Sequence, residues 1–90
     1  MLAIVPTSQF KKDYKLMKKR GLDMRKLEDV IDTLASETPL EARFSDHELT
    51  GQYKGFRECH IAPDWLLIYA VNRDELILTA ARTGSHSDLF

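Results

Sequence analysis

Trp65-Leu66-Leu67-Ile68-Tyr69-Ala70-Val71, then Asn72-Arg73-Asp74, then Leu76-Ile77-Leu78-Thr79-Ala80-Ala81-Arg82-Thr83 is the stretch that decides the fold. The first run is nearly all apolar and rich in residues that favour a pleated backbone, so it reads as a central strand. The polar triplet is a hairpin turn, and the second run is the returning strand. Just upstream, Phe56 to Ile61 forms another strand, closed by a Pro63-Asp64 turn. These three strands predict an antiparallel meander.

The N-terminal half has the other period. Leu2 to Val5 reads as a short strand stopped by Pro6, after which Thr7 or Ser8 caps a helix. Phe10, Tyr14 and Met17 recur at helical spacing as far as Lys19, and Gly21 ends the helix. Asp23 caps a second helix with Met24, Leu27, Ile31 and Leu34 as its apolar stripe and Val30 beside them. So short a connection predicts an antiparallel helical hairpin. Glu37 to Gln52 reads as a long polar loop, and Gly84 begins a short polar tail ending at Phe90. The order β-α-α-β-β-β predicts an α+β fold in which the helical hairpin packs on a small antiparallel sheet. The first strand is expected in that sheet, since alone its backbone groups would go unpaired.

Ninety residues at 10.4 kDa suit one domain, residues 1–90. With 43% hydrophobic and 30% charged residues the chain is globular in composition. No apolar run approaches the ~20 residues that span a bilayer. The opening Met1-Leu2-Ala3-Ile4-Val5-Pro6 lacks the basic start of an export signal, so a cytoplasmic setting without membrane association is expected. The single Cys59 excludes an internal disulfide and reads as core packing.

The net charge of −1 conceals a segregation. Residues 10 to 26 carry eight Lys or Arg against Asp13 and Asp23, whereas residues 27 to 53 carry seven acids against Arg43 alone. A solvated helix face explains the basic stretch; it also leaves room for a polyanionic or acidic partner.

The chemistry-bearing residues fall at the ends of the predicted strands. Antiparallel pairing carries His60, Asp64 and Trp65 to one end of the sheet, and the last strand returns His86 to the same end, where His47 can join if the long loop folds over. Each histidine alone could simply satisfy a turn. A zinc site has admissible ligand types here but no HxxxH or HxH pair to fix it. Nucleophilic catalysis by Cys59 with His60 is disfavoured, because strand alternation turns them to opposite faces. Two imidazoles and a carboxylate do suit general acid–base work, such as cleavage of RNA by its own 2′-hydroxyl.

His60-Ile61-Ala62-Pro63-Asp64-Trp65, with the following Leu-Leu-Ile-Tyr strand, resembles the HxxPDW pattern of the YafQ branch of the RelE/ParE toxin superfamily. Asp46-His47 with Leu49-Thr50-Gly51 is similar to its DHxLxG loop, and Lys54-Gly55-Phe56-Arg57-Glu58 to the continuation of that loop. Arg82-Thr83-Gly84-Ser85-His86 with Leu89-Phe90 matches its RTGxH…LF ending. The three motifs stand in the family's order and the resemblance covers essentially the whole chain. It implies a RelE-like fold and a type II toxin cleaving messenger RNA in the ribosomal A site without metal or organic cofactor. It also implies 70S ribosome and mRNA as partners and neutralisation by a DinJ- or RelB-like antitoxin. The family's functional positions fall on His47, His60, Asp64, His86 and Phe90. Arg82, Arg57 and Lys54 are candidate phosphate contacts, although inward-facing structural arginines would look the same. Trp65 is a candidate base-stacking residue, with core packing the plainer reading at the head of a buried strand. The pI of about 6.3 departs from the usual basic character of such toxins. Two alternatives are a same-fold inhibitor of a protein target such as DNA gyrase, as in the ParE branch, and an inactive relic that only binds antitoxin. Neither requires three histidines at one sheet edge.

Overall fold

Helix boundaries follow from the caps. The Thr7 side chain accepts from the backbone N–H of Phe10 at 3.0 Å and starts α1, Ser8–Lys19; Asp23 accepts from Arg25 N–H at 3.2 Å and starts α2, Met24–Ala35. Between them Gly21 takes φ +85°, a left-handed turn only glycine adopts without strain, and Leu22 N–H closes onto Met17 O at 3.2 Å. The computed structural model describes all of residues 1–90. Its strands are β1 (Ala3–Pro6), β2 (His47–Glu48), β3 (Arg57–Ala62), β4 (Trp65–Asn72) and β5 (Ile77–Gly84), and a one-turn helix, α3 (His86–Leu89), follows β5.

The sheet has the order β1-β5-β4-β3-β2. Strands β3 to β5 form the predicted antiparallel meander, and the two-residue β2, within the stretch read as loop, adds antiparallel to β3. The edge strand β1 joins β5 in parallel, Ala3 opposite Ile77 and Pro6 opposite Ala80, so the sheet is mixed rather than wholly antiparallel. Pro6 has no N–H to give and is tolerated at this edge. The helical layer covers one face. Phe10 and Met17 of α1 and Leu27, Val30, Ile31 and Ala35 of α2 share a core with Cys59, Trp65, Leu67, Tyr69, Leu78 and Ala80 of the sheet.

The opposite face is covered as well, which the sequence pattern did not announce. Leu66, Ile68, Ala81 and Leu89 form a second apolar cluster, flanked by Leu49, Tyr53 and Phe56. Its cover is α3 with the later part of the long connection, which holds the 3-10 turn Gly51–Tyr53. The earlier part, with the 3-10 turn Ala42–Phe44, packs Leu40 and Phe44 on the helix-side core and leads into β2 at the sheet edge. The double coverage explains the unbroken apolar run of β4. Leu76, expected to open the last strand, lies in the turn at φ +57°, so β5 starts at Ile77.

Trp65 is a core residue. It is 4% exposed, and its indole N–H donates to Thr83 Oγ1 at 2.9 Å, which donates onward to Leu66 O at 2.7 Å. This corrects its candidacy for stacking on a base. Trp65→Phe removes the indole donor and part of the ring volume, and should cost about 1–3 kcal/mol in urea denaturation. A loss below about 0.5 kcal/mol would contradict the placement.

Candidate functional site

Two register positions build the site. Leu66 of β4 lies opposite His60 on one side and opposite Gly84 on the other. The histidine of β3 and the residues leaving β5 therefore flank the same point, and the turn from β3 to β4 brings Asp64 to it. His86 Nδ1 lies 2.8 Å from Asp64 Oδ1, and the His86 backbone N–H donates to the same oxygen at 3.1 Å. The His60 and His86 rings stand edge to face with centroids 5.9 Å apart. His47, on β2 opposite Glu58, brings its ring to 6.5 Å from His60. Its Nδ1 lies 2.7 Å from Ser45 O, which fixes the ring. Phe90 is exposed, its ring edge-on to Tyr53 at 5.7 Å.

One member of the cluster was not singled out by the sequence reading. Glu58 is 5% exposed, and its Oε1 lies 3.5 Å from His47 Nε2 and 3.6 Å from His60 Nε2. A buried carboxylate is costly unless polar groups face it, and these two ring nitrogens do so at ion-pair rather than hydrogen-bond distance. Strand alternation could have found it, since Glu58 and His60 are two apart and share a face. Tyr53, which holds Phe90, carried no comparable signal.

The remaining candidates have other partners. Arg57 is turned to the helix side of the sheet, where its Nε donates to Asp46 Oδ1 at 3.1 Å and the Tyr69 hydroxyl donates to the same oxygen at 2.7 Å. Alternation gives the reason: residues 57 and 59 share a face, and Cys59 is in the helix-side core. Arg57 is thus a structural arginine. Arg82 spans Asp13 of α1, Nε to Oδ2 at 2.7 Å and Nη2 to Oδ1 at 3.2 Å, and Asp13 Oδ2 also accepts from Thr83 N–H at 3.2 Å. Here β5 carries an irregularity with Ala81 as the extra residue, so that Thr83 rather than Arg82 turns into the helix-side core. The Arg82 guanidinium thus joins helix and sheet through Asp13, and it lies close enough to Tyr53 for that hydroxyl to help hold its charge. Lys54 is exposed, beside the Tyr53 turn. Cys59 is fully buried and its thiol is pushed up to about 12, chiefly by burial, which excludes a thiolate nucleophile near neutral pH.

Chemically the cluster is two histidine–carboxylate pairs face to face, His86 with Asp64 and His60 with Glu58, with His47 beside the second. Asp64 is held below the usual carboxylate range, first by the hydrogen bond from the His86 ring and then by the His86 backbone N–H. The side chains of His47, His60 and His86 are 50, 30 and 55% exposed, an open surface suited to a polymer rather than an enclosed small molecule. Ligand atoms of Glu58, His60 and His86 also lie within 4.8 Å of one another, a donor set that could hold a transition-metal cation.

Imidazoles and carboxylates gathered at one open end of an α+β sheet are groups whose chemistry suits proton transfer. The comparisons make this specific. The family model for the bacterial toxin of type II toxin–antitoxin systems, YafQ, matches residues 2–90, and the chain belongs to that family. The mRNA interferase toxin YafQ of Escherichia coli K12 is 44% identical over 85 residues, 93% of this chain and 90% of that protein. A crystal structure of a metal-bound toxin from Helicobacter pylori superposes with a TM-score of 0.94 at 46% identity, covering both chains in full. The E. coli DinJ–YafQ complex contains a chain that matches with a TM-score of 0.91 at 41% identity, covering 100% of this chain and 99% of that one.

If His86 is what holds Asp64 ionised, its removal must release the carboxyl. In His86→Ala, which removes the ring but keeps the backbone N–H, Asp64 should titrate higher than in the parent, as followed by NMR of the side-chain carboxyl. An unchanged Asp64 titration would show that the pair does not form in solution.

Proposed function

We infer that this protein is an mRNA-cleaving toxin that works through attack of the substrate's own 2′-hydroxyl on the adjacent phosphorus. The observation that carries this reading is the pair of histidine–carboxylate couples with ring centroids 5.9 Å apart. Cleavage of this type needs a group that takes the 2′-proton and another that gives a proton to the departing 5′-oxygen, both near one phosphate. A carboxylate on one ring nitrogen fixes the tautomer and leaves the other nitrogen to the substrate. Asp64 does this for His86 at 2.8 Å, while Glu58 faces His60 Nε2 at 3.6 Å, an ion-pair rather than a hydrogen-bond distance. One couple takes the proton and the other delivers it. His47, its Nδ1 held at Ser45 O and its Nε2 turned toward Glu58, lines the site beside His60, and Phe90, held by Tyr53, packs against the nucleotide. The products are a 2′,3′-cyclic phosphate and a free 5′-hydroxyl.

The nucleophile belongs to the RNA, so this route requires no metal-bound water. Glu58, His60 and His86 are the residues that would hold a cation, and a cation there would polarise a phosphate oxygen while occupying ring nitrogens that proton transfer needs. The substrate is messenger RNA on the 70S ribosome, where a rigid, open site can engage one codon at a time. The cognate antitoxin, like DinJ with YafQ, neutralises the toxin in the bacterial cytoplasm. The exposed lysines of α1, Lys11, Lys12, Lys15, Lys18 and Lys19, offer a surface for an acidic segment that folds on binding.

His86→Ala should lower the cleavage rate by ~10²–10⁴-fold, with the melting transition and antitoxin binding retained. Cleavage should survive EDTA, and zinc at a few equivalents should inhibit by occupying Glu58, His60 and His86. Undiminished cleavage by His86→Ala, or activity lost to EDTA and restored by zinc, would overturn the reading. Topoisomerase poisoning without transcript cuts would favour the gyrase-type inhibitor.

A further inference from the structure

Helix α3 carries His86 at its start and delivers Phe90 at its end, yet it is a single turn of four residues. One turn has no stability of its own, so its orientation must be imposed from outside. Leu89 is one anchor, buried against Leu66, Ile68 and Ala81. The others meet at Asp88. Its Oδ2 accepts from Ser85 N–H and Ser85 Oγ, each at 2.9 Å, while Asp88 N–H donates to Ser85 Oγ at 3.2 Å. Gly84 lets the carboxylate fold back, because a Cβ at Gly84 would lie 2.9 Å from Asp88 Cβ. From 68 residues away in sequence, Arg20 then grips Asp88 with both guanidinium arms, Nη1 to Oδ2 at 2.7 Å and Nη2 to Oδ1 at 3.0 Å.

We propose that Arg20 is a positioning residue for the cleavage reaction: by clamping Asp88 it fixes α3 so that His86 faces Asp64 and His60 while Phe90 rests on Tyr53. The inference rests on the acid–base reading of His86 given above. The clamp joins the end of α1 to the site, and it takes Arg20 out of the free basic surface formed by its lysine neighbours. Bidentate guanidinium–carboxylate geometry is the arrangement in which a partly exposed ion pair has directional force. The Asp88 carboxyl is held far below the usual range by Arg20 first and the Ser85 donors next, so the pair stays charged at any pH where the toxin works. A tilt of α3 would move the His86 ring and backbone N–H together, since both meet Asp64 Oδ1.

The test uses the full chain with Arg20→Gln, Arg20→Lys, Asp88→Asn and the double variant Arg20→Gln/Asp88→Asn. Four quantities are read: kcat, KM, the melting temperature, and the ring NMR signals of His86 and Phe90. Arg20→Gln and Asp88→Asn should each lower kcat by about 10- to 100-fold, keep KM within about twofold, and shift or broaden both ring signals. The double variant should be no worse than either single one, because the two residues act as a unit. Arg20→Lys should recover part of kcat, and it keeps the test decisive if Asp88→Asn fails to fold. A raised KM with unchanged kcat in Arg20→Gln, alongside a near-normal Asp88→Asn, would mean that Arg20 touches RNA directly and would overturn the proposal. Unchanged kcat and unchanged ring signals in both single variants would overturn it too. His86→Ala measured in parallel separates the two levels. Full cleavage there refutes the acid–base reading, and the ring signals of the Arg20 variants then decide the clamp alone.

Discussion

Strand β4 is hydrogen-bonded along both edges, to β3 with Leu66 opposite His60 and to β5 with Leu66 opposite Gly84. A one-residue slip on either side would exchange the two faces of a strand whose side chains are buried on both. That penalty fixes the register, and the register fixes the site. His60 stands beside β4, Asp64 sits in the turn that starts β4, and His86 begins the helix that follows β5. No side chain at the site has to reach across the molecule, because the sheet delivers three of them to one end.

The polar groups follow a division between the two faces. On the helix side, carboxylates serve the fold: Asp13 joins Arg82 and Thr83 across the α1–β5 junction, and Asp46 joins Arg57 and Tyr69 beneath the long connection. On the other side, Glu58 and Asp64 face histidines instead of arginines. Arginine keeps its proton at any working pH, so its pairs are static; imidazole titrates near neutrality, so its pairs can exchange protons. The same elementary interaction therefore stabilises one face and equips the other for chemistry.

Much of this was legible in the residues. The caps at Thr7 and Asp23, the break at Gly21 and the apolar run of β4 each carry a local signal, and antiparallel pairing alone predicts that His60, Asp64 and His86 meet. The losses have physical causes. The pairing of β1 with β5 is parallel because the chain crosses through two helices before the meander begins, and strand composition does not report direction. Residues 47–48 form only a two-residue strand, below the length at which alternation can be read. The orientation of Arg82 was not legible, because the extra residue Ala81 in β5 breaks the alternation on which a facing argument depends. Glu58 was quoted within a motif and given no role, although its spacing from His60 placed it on the same face. The tail was read as polar chain because α3 owes its form to Leu89, Ser85 and the distant Arg20 rather than to helix propensity.

The central claim is that this sheet end moves protons for a nucleophile supplied by the RNA itself. A messenger carrying a single 2′-deoxynucleotide on the 5′ side of the scissile bond, presented on programmed 70S ribosomes, tests it most directly. The account predicts that the substituted transcript is bound but left intact, while the all-ribose transcript is cut at that bond to a 2′,3′-cyclic phosphate. Cleavage of the deoxy-substituted bond at a comparable rate would require an external nucleophile and would contradict the account.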